Sequence, residues 1–366
     1  MTHAAPPRRA RSVVGGLAAT MACAVSALAI LPAPTYRLWQ VAIVVTEWGH
    51  VLAIAPVLVA LVGRRSRRIS VLLALTAALL CTPLVRAWRV ARVERLDVAW
   101  AALAPFGRPA TCVPDVLTYV DRGDWRGRLD FYRPLRYGSA PLVLVIHGGS
   151  WQSGERGEFP DANCALHDAG YAVADVDYRL APAHKFPAAH DDIVAALAYL
   201  IERRETLGID EGRVALLGRS AGAQLALDVA YRSGPPEVRA VVALYGPADL
   251  IYGYEHPASP LVMDSAGVLT AYVGGTPAEN AEAFRAASPY FAVGPATPPT
   301  LLVHGSRDEL VRVAQSRRLA DRLREAGRMV RFLELPWATH ACDYLSGPCS
   351  LIVRSAVAEF LGAAFR

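Results

Sequence analysis

Apolar residues dominate the first ninety positions of the chain and form three long runs there. Residues 12–36 contain no charged side chain, residues 38–63 contain only Glu47, and residues 69–85 are again uncharged. A helix needs about 20 apolar residues to cross the hydrocarbon core of a bilayer. The pattern therefore predicts a membrane segment over residues 1–90 with about three transmembrane helices. The third run is the shortest, and a buried or interfacial helix is the alternative there.

From residue 115 onward, short apolar strands alternate with helical patterns. The inner strands are unbroken apolar runs, which is typical of a parallel sheet covered by helices on both faces. The sequence therefore predicts one α/β domain over residues 115–366. The predicted strands are 116–120, 128–134, 141–149, 171–179, 213–220, 238–246, 299–306 and 330–336, and the predicted helices are 158–169, 190–207, 221–232, 312–326 and 351–365.

Two stretches lack this alternation. Residues 250–295 contain no clear strand and are expected to form a cap or loop over the rest of the domain. Residues 91–114 are expected to be a connector. Apolar side chains at helical spacing, which begin shortly before this connector, predict an amphipathic helix on the membrane surface. These side chains are Trp88, Val90, Val93, Leu96 and Trp100.

The charge composition argues against a nucleic-acid partner. The formal net charge is +5, but lysine occurs once, at Lys185, so 37 of the 38 basic residues are arginine (38 − 1). The globular part has no dense basic block with interleaved aromatic residues, which a nucleic-acid-binding surface would require. Hydrophobic residues make up 53% of the chain, and their excess lies in the first ninety positions.

The basic residues around the apolar runs predict an orientation in the membrane. One arginine cluster precedes the first run and a second joins the second run to the third, so both are expected in the cytoplasm. Three spans then place the domain after residue 90 outside. The first cluster is Arg8, Arg9 and Arg11, and the second is Arg64, Arg65, Arg67 and Arg68. A signal peptide cleaved near Ala27–Ala29 would leave the domain on the same side, whereas Arg86, Arg89, Arg92 and Arg95 point to the opposite orientation.

Glu47 and His50 are three residues apart and would share one face of the second span. Ionisable residues inside a membrane are costly and therefore suggest a function. An internal polar pair that holds the helices together is the interpretation we favour.

The six cysteines include no CxxC pair, so no zinc site or redox motif is expected. Cys342 and Cys349 are seven residues apart and can form a disulfide in an oxidising compartment, with two free thiols as the alternative. No spacing brings Cys112 and Cys164 together.

A nucleophile motif follows the fifth predicted strand. Gly218-Arg219-Ser220-Ala221-Gly222 stands between an apolar strand and a helical pattern. This is the context of the nucleophile elbow of the α/β-hydrolase fold, in which a sharp turn exposes the serine oxygen above the sheet. We therefore expect Ser220 to be a nucleophile.

A glycine-rich loop, His147-Gly148-Gly149-Ser150-Trp151, follows the third predicted strand. Its position matches the oxyanion loop of this fold. The backbone N–H groups of Gly148, Gly149 and Ala221 are expected to form the oxyanion hole, and His147 to shape the loop. A simple glycine-rich turn is the alternative.

The general base should be a histidine late in the chain, because this fold orders its residues serine, acid, histidine. His340 follows the last strand and satisfies that order. His304 ends an earlier strand and precedes the suitable acids. His340 is therefore the expected base.

The acid should follow the strand 299–306. Asp308 does so and would hold the histidine tautomer and stabilise the imidazolium. Glu309 is the runner-up, and Asp343 is too close to His340 in sequence for this geometry.

Together these motifs resemble a known family. DYRLAPAHKFPAAHDD (177–192) resembles the hormone-sensitive-lipase-like esterases, and HGGSW, LDFYRP, GRSAGA, YVGGTP and HGSRDELV resemble bacterial esterases grouped with feruloyl esterases and carboxylesterases. The resemblance covers roughly residues 115–366 and implies a triad of Ser220, Asp308 and His340. Arg219 and Ser150 replace the aspartate and third glycine that the family usually has, which leaves the alcohol-side specificity open. Arg179 and Asp192 are interpreted as a structural pair.

The expected function is a membrane-anchored serine hydrolase that cleaves carboxylic esters of small molecules or membrane lipids through an acyl-enzyme. An acyltransferase of the same fold is one alternative, because exclusion of water decides between the two. A non-catalytic adhesion or binding module is another. No motif for a metal or a cofactor is found, and neither is expected.

Overall fold

Four α-helices form the described part of the N-terminal segment. The computed structural model describes residues 8–62, 66–103, 111–135, 138–233 and 237–366. The helices are α1 (Arg8–Ser26), α2 (Tyr36–Leu52), α3 (Ile54–Val62) and α4 (Arg67–Val93). The first three pack against α4, which is the longest.

One or two of the three predicted spans correspond to described helices that are long and apolar enough to cross a membrane. Among the described residues, α4 is the one helix long and apolar enough to cross a membrane, and α2 with α3 adds a second only if their 43° bend lies within one span. The first run yields a shorter apolar helix, Gly15–Ala29. Pro32 and Pro34 follow it, and proline interrupts helices because it lacks the backbone N–H.

The predicted orientation rests on residues at the margins of this segment. Arg64 and Arg65 lie outside the described residues, as do the side chains of Arg8, Arg9 and Arg11. The orientation therefore stays a prediction.

An eight-stranded sheet organises the rest of the chain, and each of the eight predicted strands is present. The strand order is β1-β2-β4-β3-β5-β6-β7-β8; β2 is antiparallel to β1 and β4, and the remaining pairs are parallel. This confirms the predicted α/β-hydrolase fold. The strands are β1 (Asp115–Asp121), β2 (Arg126–Tyr132), β3 (Ala140–Ile146), β4 (Ala172–Val176), β5 (Ile209–Arg219), β6 (Val238–Leu244), β7 (Thr300–Gly305) and β8 (Val330–Leu335).

Helices cover both faces of the sheet. Successive side chains of a strand point to opposite faces, so each inner strand contributes to two buried clusters. In β3, Leu142 and Leu144 join one buried cluster, whereas Val143 and Val145 join the other. The helices of this domain are α5 (Pro160–Asp168), α6 (Ala188–Glu202), α7 (Arg204–Leu207), α8 (Ala221–Asp228), α9 (Leu250–Glu255), α10 (Ser265–Val273), α11 (Ala281–Ala286), α12 (Ala314–Glu325) and α13 (Pro348–Ala364). The stretch 250–295 thus contains α9, α10 and α11.

The connector differs from its prediction. Its first part is the end of α4, and the buried Ala87 and Ala91 lie in the same cluster as α13. Two small residues four positions apart let the helix approach the sheet domain closely. Leu96 and Val98 are buried in that cluster as well, so this part of the chain packs on the domain and does not form a separate surface helix.

Candidate active site

Ser220 occupies a strained turn between β5 and α8. Its backbone has φ 52° and ψ −119°, a conformation that a residue with a side chain rarely adopts. The turn brings backbone segments so close that a Cβ on Gly218 or Gly222 would overlap main-chain atoms of its neighbours. The two glycines of the motif therefore allow the turn, as the sequence predicts.

A chain of hydrogen bonds joins Ser220, His340 and Asp308. Ser220 Oγ lies 2.9 Å from His340 Nε2, and His340 Nδ1 lies 2.6 Å from Asp308 Oδ2. The serine stands at the end of β5, the aspartate follows β7, and the histidine follows β8. The structure thus brings together the three residues that the sequence singles out.

The environment of Asp308 favours its charged form. Its Oδ1 accepts hydrogen bonds from the backbone N–H groups of Leu310 (2.9 Å) and Val311 (2.7 Å). Burial alone would raise the pKa of this carboxyl, but the charge and hydrogen bonds of His340 and His304 outweigh burial and lower it to about 2. Asp308 is therefore an anion over the pH range in which a histidine base works.

The runner-up residues lie elsewhere in the same region. His304 is buried, with Nδ1 2.7 Å from Ser316 Oγ and Nε2 2.9 Å from the Val311 carbonyl, and its Nε2 also lies 3.2 Å from Asp308 Oδ2, the oxygen that faces His340. Glu309 directs its carboxylate to the backbone N–H of Ala33 and the hydroxyl of Thr339.

The glycine-rich loop lies directly beside the serine. A Cβ on Gly148 would stand 3.3 Å from Ser220 Cβ, and Gly149 has φ +105°, which suits glycine. The loop is fixed from behind, since Trp151 Nε1 donates to Gln224 Oε1 at 2.9 Å and its ring stacks on Tyr272.

His147 is part of this support. The ring stacks on Tyr178 with centroids 4.2 Å apart, and its Nδ1 lies 2.8 Å from the Gly148 carbonyl. Burial lowers the pKa of His147, so the neutral ring is favoured. These contacts agree with the expectation that His147 shapes the loop.

A largely apolar pocket opens above Ser220, and Ser220 and His340 both line it. Its walls come from the glycine-rich loop, α9, α10 and the loop after β7. The lining includes Ser150, Trp151, Ala221, Tyr252, Met263, Val268, Leu269, Leu310 and Val311. Among the described residues, no group of three or more His, Cys, Asp and Glu side chains is placed to hold a metal ion.

The sequence prediction missed a buried ion pair behind the site. Arg219 does not line the pocket; its Nε donates to Asp343 Oδ2 at 2.8 Å, and Tyr245 Oη donates to Asp343 Oδ1 at 2.6 Å. Tyr245 in turn packs edge-on against the His340 ring, with centroids 4.8 Å apart. Two unusual features could have signalled this pair: an arginine before the nucleophile and an aspartate three residues after the base.

The expected pairing of Glu47 with His50 is not formed. Glu47 Oε2 accepts the Cys349 backbone N–H at 2.9 Å, at the start of α13. Neither ring nitrogen of His50 has a hydrogen-bond partner within the described part of the chain. The position of Glu47 is explained by the first N–H groups of α13, which have no acceptor within the helix and take one from this side chain.

Two disulfides are present. Cys342 and Cys349 are bonded, as the sequence allows, with Cα atoms 5.8 Å apart. Cys112 and Cys164 are also bonded, with Cα atoms 5.7 Å apart, a pair that no spacing predicts. Arg179 and Asp192 form the expected ion pair at 2.8 Å.

The sheet order, the serine turn and the histidine after the last strand define an α/β-hydrolase. The BD-FAE family model matches residues 129–323, slightly more than half of the chain, and the chain belongs to this family. That region includes Ser220 and Asp308 and ends before His340.

Several relatives carry esterase names. The chain is 34% identical over 242 residues to esterase LipC of Mycobacterium tuberculosis, covering 62% of this chain and 59% of that protein. It is 35% identical over 222 residues to an acetyl-hydrolase of Streptomyces hygroscopicus, covering 58% and 71%. The chain spans less than three fifths of the length of LipC, LipQ and LipM from M. tuberculosis, at 59%, 56% and 55%.

Solved structures show the same fold. A bacterial heroin esterase superposes with a TM-score of 0.60 at 26% identity, covering 78% of this chain and 92% of that one. A hyperthermophilic esterase from Pyrobaculum calidifontis gives 0.61 at 24% identity, covering 76% and 91%. The resemblance to α/β-hydrolase esterases expected from the sequence is confirmed.

Proposed function

We propose that the protein is a serine carboxylic-ester hydrolase in which Ser220, His340 and Asp308 act as a catalytic triad. The observation that carries the proposal is the unbroken hydrogen-bond chain from Asp308 Oδ2 through the His340 ring to Ser220 Oγ, at the base of an apolar pocket. The esterase names of several relatives support it.

In the first step, His340 Nε2 accepts the Ser220 hydroxyl proton as Oγ attacks the ester carbonyl carbon. Asp308 holds the Nδ1–H tautomer and stabilises the imidazolium that forms. His340 then gives the proton to the departing alkoxide, which leaves as the alcohol. Water enters, loses its proton to His340 and cleaves the acyl-enzyme, releasing the acid and restoring Ser220.

The carbonyl oxygen becomes negative in each tetrahedral intermediate and needs hydrogen-bond donors. The proposed donors are the backbone N–H groups of Gly148, Gly149 and Ala221, which lie at the glycine-rich loop and the start of α8. Fixed donors of this kind typically lower the barrier by roughly 3–4 kcal/mol each. The stacking of Trp151 on Tyr272 keeps the loop in place without reorganisation during the reaction.

The proposed substrates are carboxylic esters of small molecules or lipids, and the proposed location is a membrane. The length and composition of α4, with α2 and α3 as a second candidate, support membrane attachment. The two disulfides fit an oxidising compartment and therefore support a domain outside the cytoplasm.

The proposal is tested by the hydrolysis of nitrophenyl esters of graded acyl length by the full chain in detergent. Ser220→Ala and His340→Ala are each expected to remove activity by several orders of magnitude. Ser355→Ala is a matched control, because this half-buried serine on α13 donates to the Asp97 carbonyl and does not line the pocket. Wild-type rates in Ser220→Ala would refute the proposal, and transfer to an added alcohol would identify an acyltransferase.

A further inference from the structure

The residues on either side of Asp308 hold the N-terminal segment. Arg307 precedes Asp308, and its guanidinium donates to the carbonyls of Leu28 (2.6 Å), Ala29 (2.8 Å) and Leu31. The contacts join positions nearly 280 residues apart in the chain, with a separation of 278 for Ala29. The turn between α1 and α2 is therefore fixed to the loop that carries the proposed acid.

Glu309 follows Asp308 and joins three loops with one carboxylate. Its Oε1 accepts the backbone N–H of Ala33 at 2.7 Å. Its Oε2 accepts the hydroxyl of Thr339, the residue that precedes His340. Ala33 and Thr339 are both buried, at 3% and 0% exposure, so neither can exchange this bond for one to water.

The N-terminal segment also covers the base itself. The ring of Trp39, in the first turn of α2, lies 6.5 Å from the ring of His340, centroid to centroid. His340 also packs edge-on against Tyr245, with centroids 4.8 Å apart. The backbone N–H of Tyr36 donates to the Leu261 carbonyl at 3.0 Å, which ties the same turn to the loop that precedes the pocket residue Met263.

We propose that Glu309 is a positioning residue through which residues 28–39 of the N-terminal segment fix the Asp308–His340 pair. Asp308 and His340 stand on loops from different strands, β7 and β8, so their separation depends on what holds those loops together. Backbone bonds such as the one from the Arg307 N–H to the Ala338 carbonyl (3.1 Å) join these loops. Glu309 adds a side-chain link that Ala33 fixes in place. The N-terminal segment is then part of the active site as well as an anchor. This inference rests on the proposed function.

A positioning role differs from a purely structural one in its kinetics. Misplacement of a reacting group by about 1 Å can cost on the order of 100-fold in rate. It lowers kcat, whereas KM changes little when the pocket is intact. Glu309 does not line the pocket, so its loss should leave substrate binding unaffected.

The test compares Glu309→Ala and Glu309→Gln in the full chain in detergent. Glu309→Ala is expected to lower kcat roughly 10- to 100-fold with KM nearly unchanged. It should slow labelling by a fluorophosphonate to a similar degree, because that reaction also needs His340. Glu309→Gln should restore most of kcat, since an amide accepts from Ala33 through its oxygen and bonds Thr339 through its NH₂ group.

Glu334→Ala is the matched control. Its carboxylate binds Ser306 and Arg317 near the same loop but does not reach the N-terminal segment, so wild-type kcat is expected. If Glu309→Ala fails to fold, Thr339→Val decides, because it removes one hydroxyl and keeps the shape. A roughly 3- to 10-fold fall in kcat is expected for it.

Wild-type kcat in Glu309→Ala, or in Thr339→Val where the former is unfolded, would overturn the inference. A change in KM with wild-type kcat would also overturn the inference. Ser220→Ala, measured in parallel, distinguishes failure of the proposed function from failure of the inference about Glu309. Activity that survives in that variant would remove the proposed function, whereas a normal rate in the Glu309 variant alone would remove only this inference.

Discussion

Arg219 Nε lies 2.8 Å from Asp343 Oδ2, in an ion pair whose side chains are only 5% and 3% exposed. The arginine directly precedes the proposed nucleophile, and the aspartate lies three residues after the proposed base. The pair therefore joins the serine turn to the histidine loop from behind the pocket. Burial alone would lower the pKa of Arg219, but the Asp343 carboxylate raises it, so the arginine stays charged.

Removal of one partner of this ion pair should lower the free energy of unfolding. Asp343→Ala leaves a buried guanidinium without its counter-ion, which typically costs about 3–5 kcal/mol in the free energy of unfolding. Replacing both partners, in Arg219→Met with Asp343→Ala, should recover much of that loss. Urea unfolding of the detergent-solubilised protein measures it.

The control for that experiment is Asp321→Ala, which breaks the exposed pair with Arg324. Pairs on the surface contribute about 0–1 kcal/mol, so little change is expected. An Asp343→Ala variant as stable as Asp321→Ala would show that the buried pair does not link the two loops.

The low pKa of Asp308 predicts an acid-dependent loss of stability. A carboxyl whose pKa falls from 3.8 in the unfolded chain to about 2 in the folded state stabilises the fold above its unfolded pKa. The contribution, about 2 kcal/mol, should disappear as the pH falls from about 4 to 2. Comparison of wild type with Asp308→Asn by urea unfolding at several pH values measures it. A stability difference that stays constant across that window would contradict the prediction.

The two disulfides should differ in their contribution to stability. The Cys112–Cys164 bond closes 52 residues and the Cys342–Cys349 bond closes 7. Chain entropy predicts about 4 kcal/mol for the long loop and about 2 kcal/mol for the short one. Paired cysteine-to-serine variants, unfolded in urea, give these values, and mass spectrometry of a non-reduced digest identifies the linked peptides. Full alkylation of the four thiols without reductant would reject both bonds.

The charge pattern and the disulfides predict that the domain after residue 90 faces out of the cytoplasm. The chain should sediment with membranes and require detergent for release. Protease added to intact spheroplasts should then digest this domain. A domain that remains protected there, and becomes sensitive only after lysis, would place it in the cytoplasm and make the arginines from Arg86 to Arg95 the decisive signal.

The local features of the site could be predicted from the sequence. Ser220 stands between a strand and a helix, and His340 follows the last strand; both are properties of short segments that the fold places at one edge of the sheet. Short apolar runs likewise predict the eight strands to within a few residues. These predictions need no knowledge of which distant segments touch.

The features that could not be predicted depend on distant contacts. Arg219 and Asp343 are 124 residues apart, and Glu47 and Cys349 are 302 apart. Glu47 looked like a membrane residue because its neighbours are apolar, yet the structure uses it at the start of α13. Apolar patterning shows that a helix is buried and does not reveal whether lipid or protein covers it.

The most direct test of the account is the site at which a fluorophosphonate probe reacts with the full-length protein. The probe bonds covalently to a serine that a neighbouring base activates, so it reports on the arrangement of Ser220 and His340 without requiring the natural substrate. Peptide mapping should find the label on Ser220 alone, and His340→Ala should lose almost all labelling. A label on any other residue, or ester hydrolysis that survives in Ser220→Ala, would contradict the account.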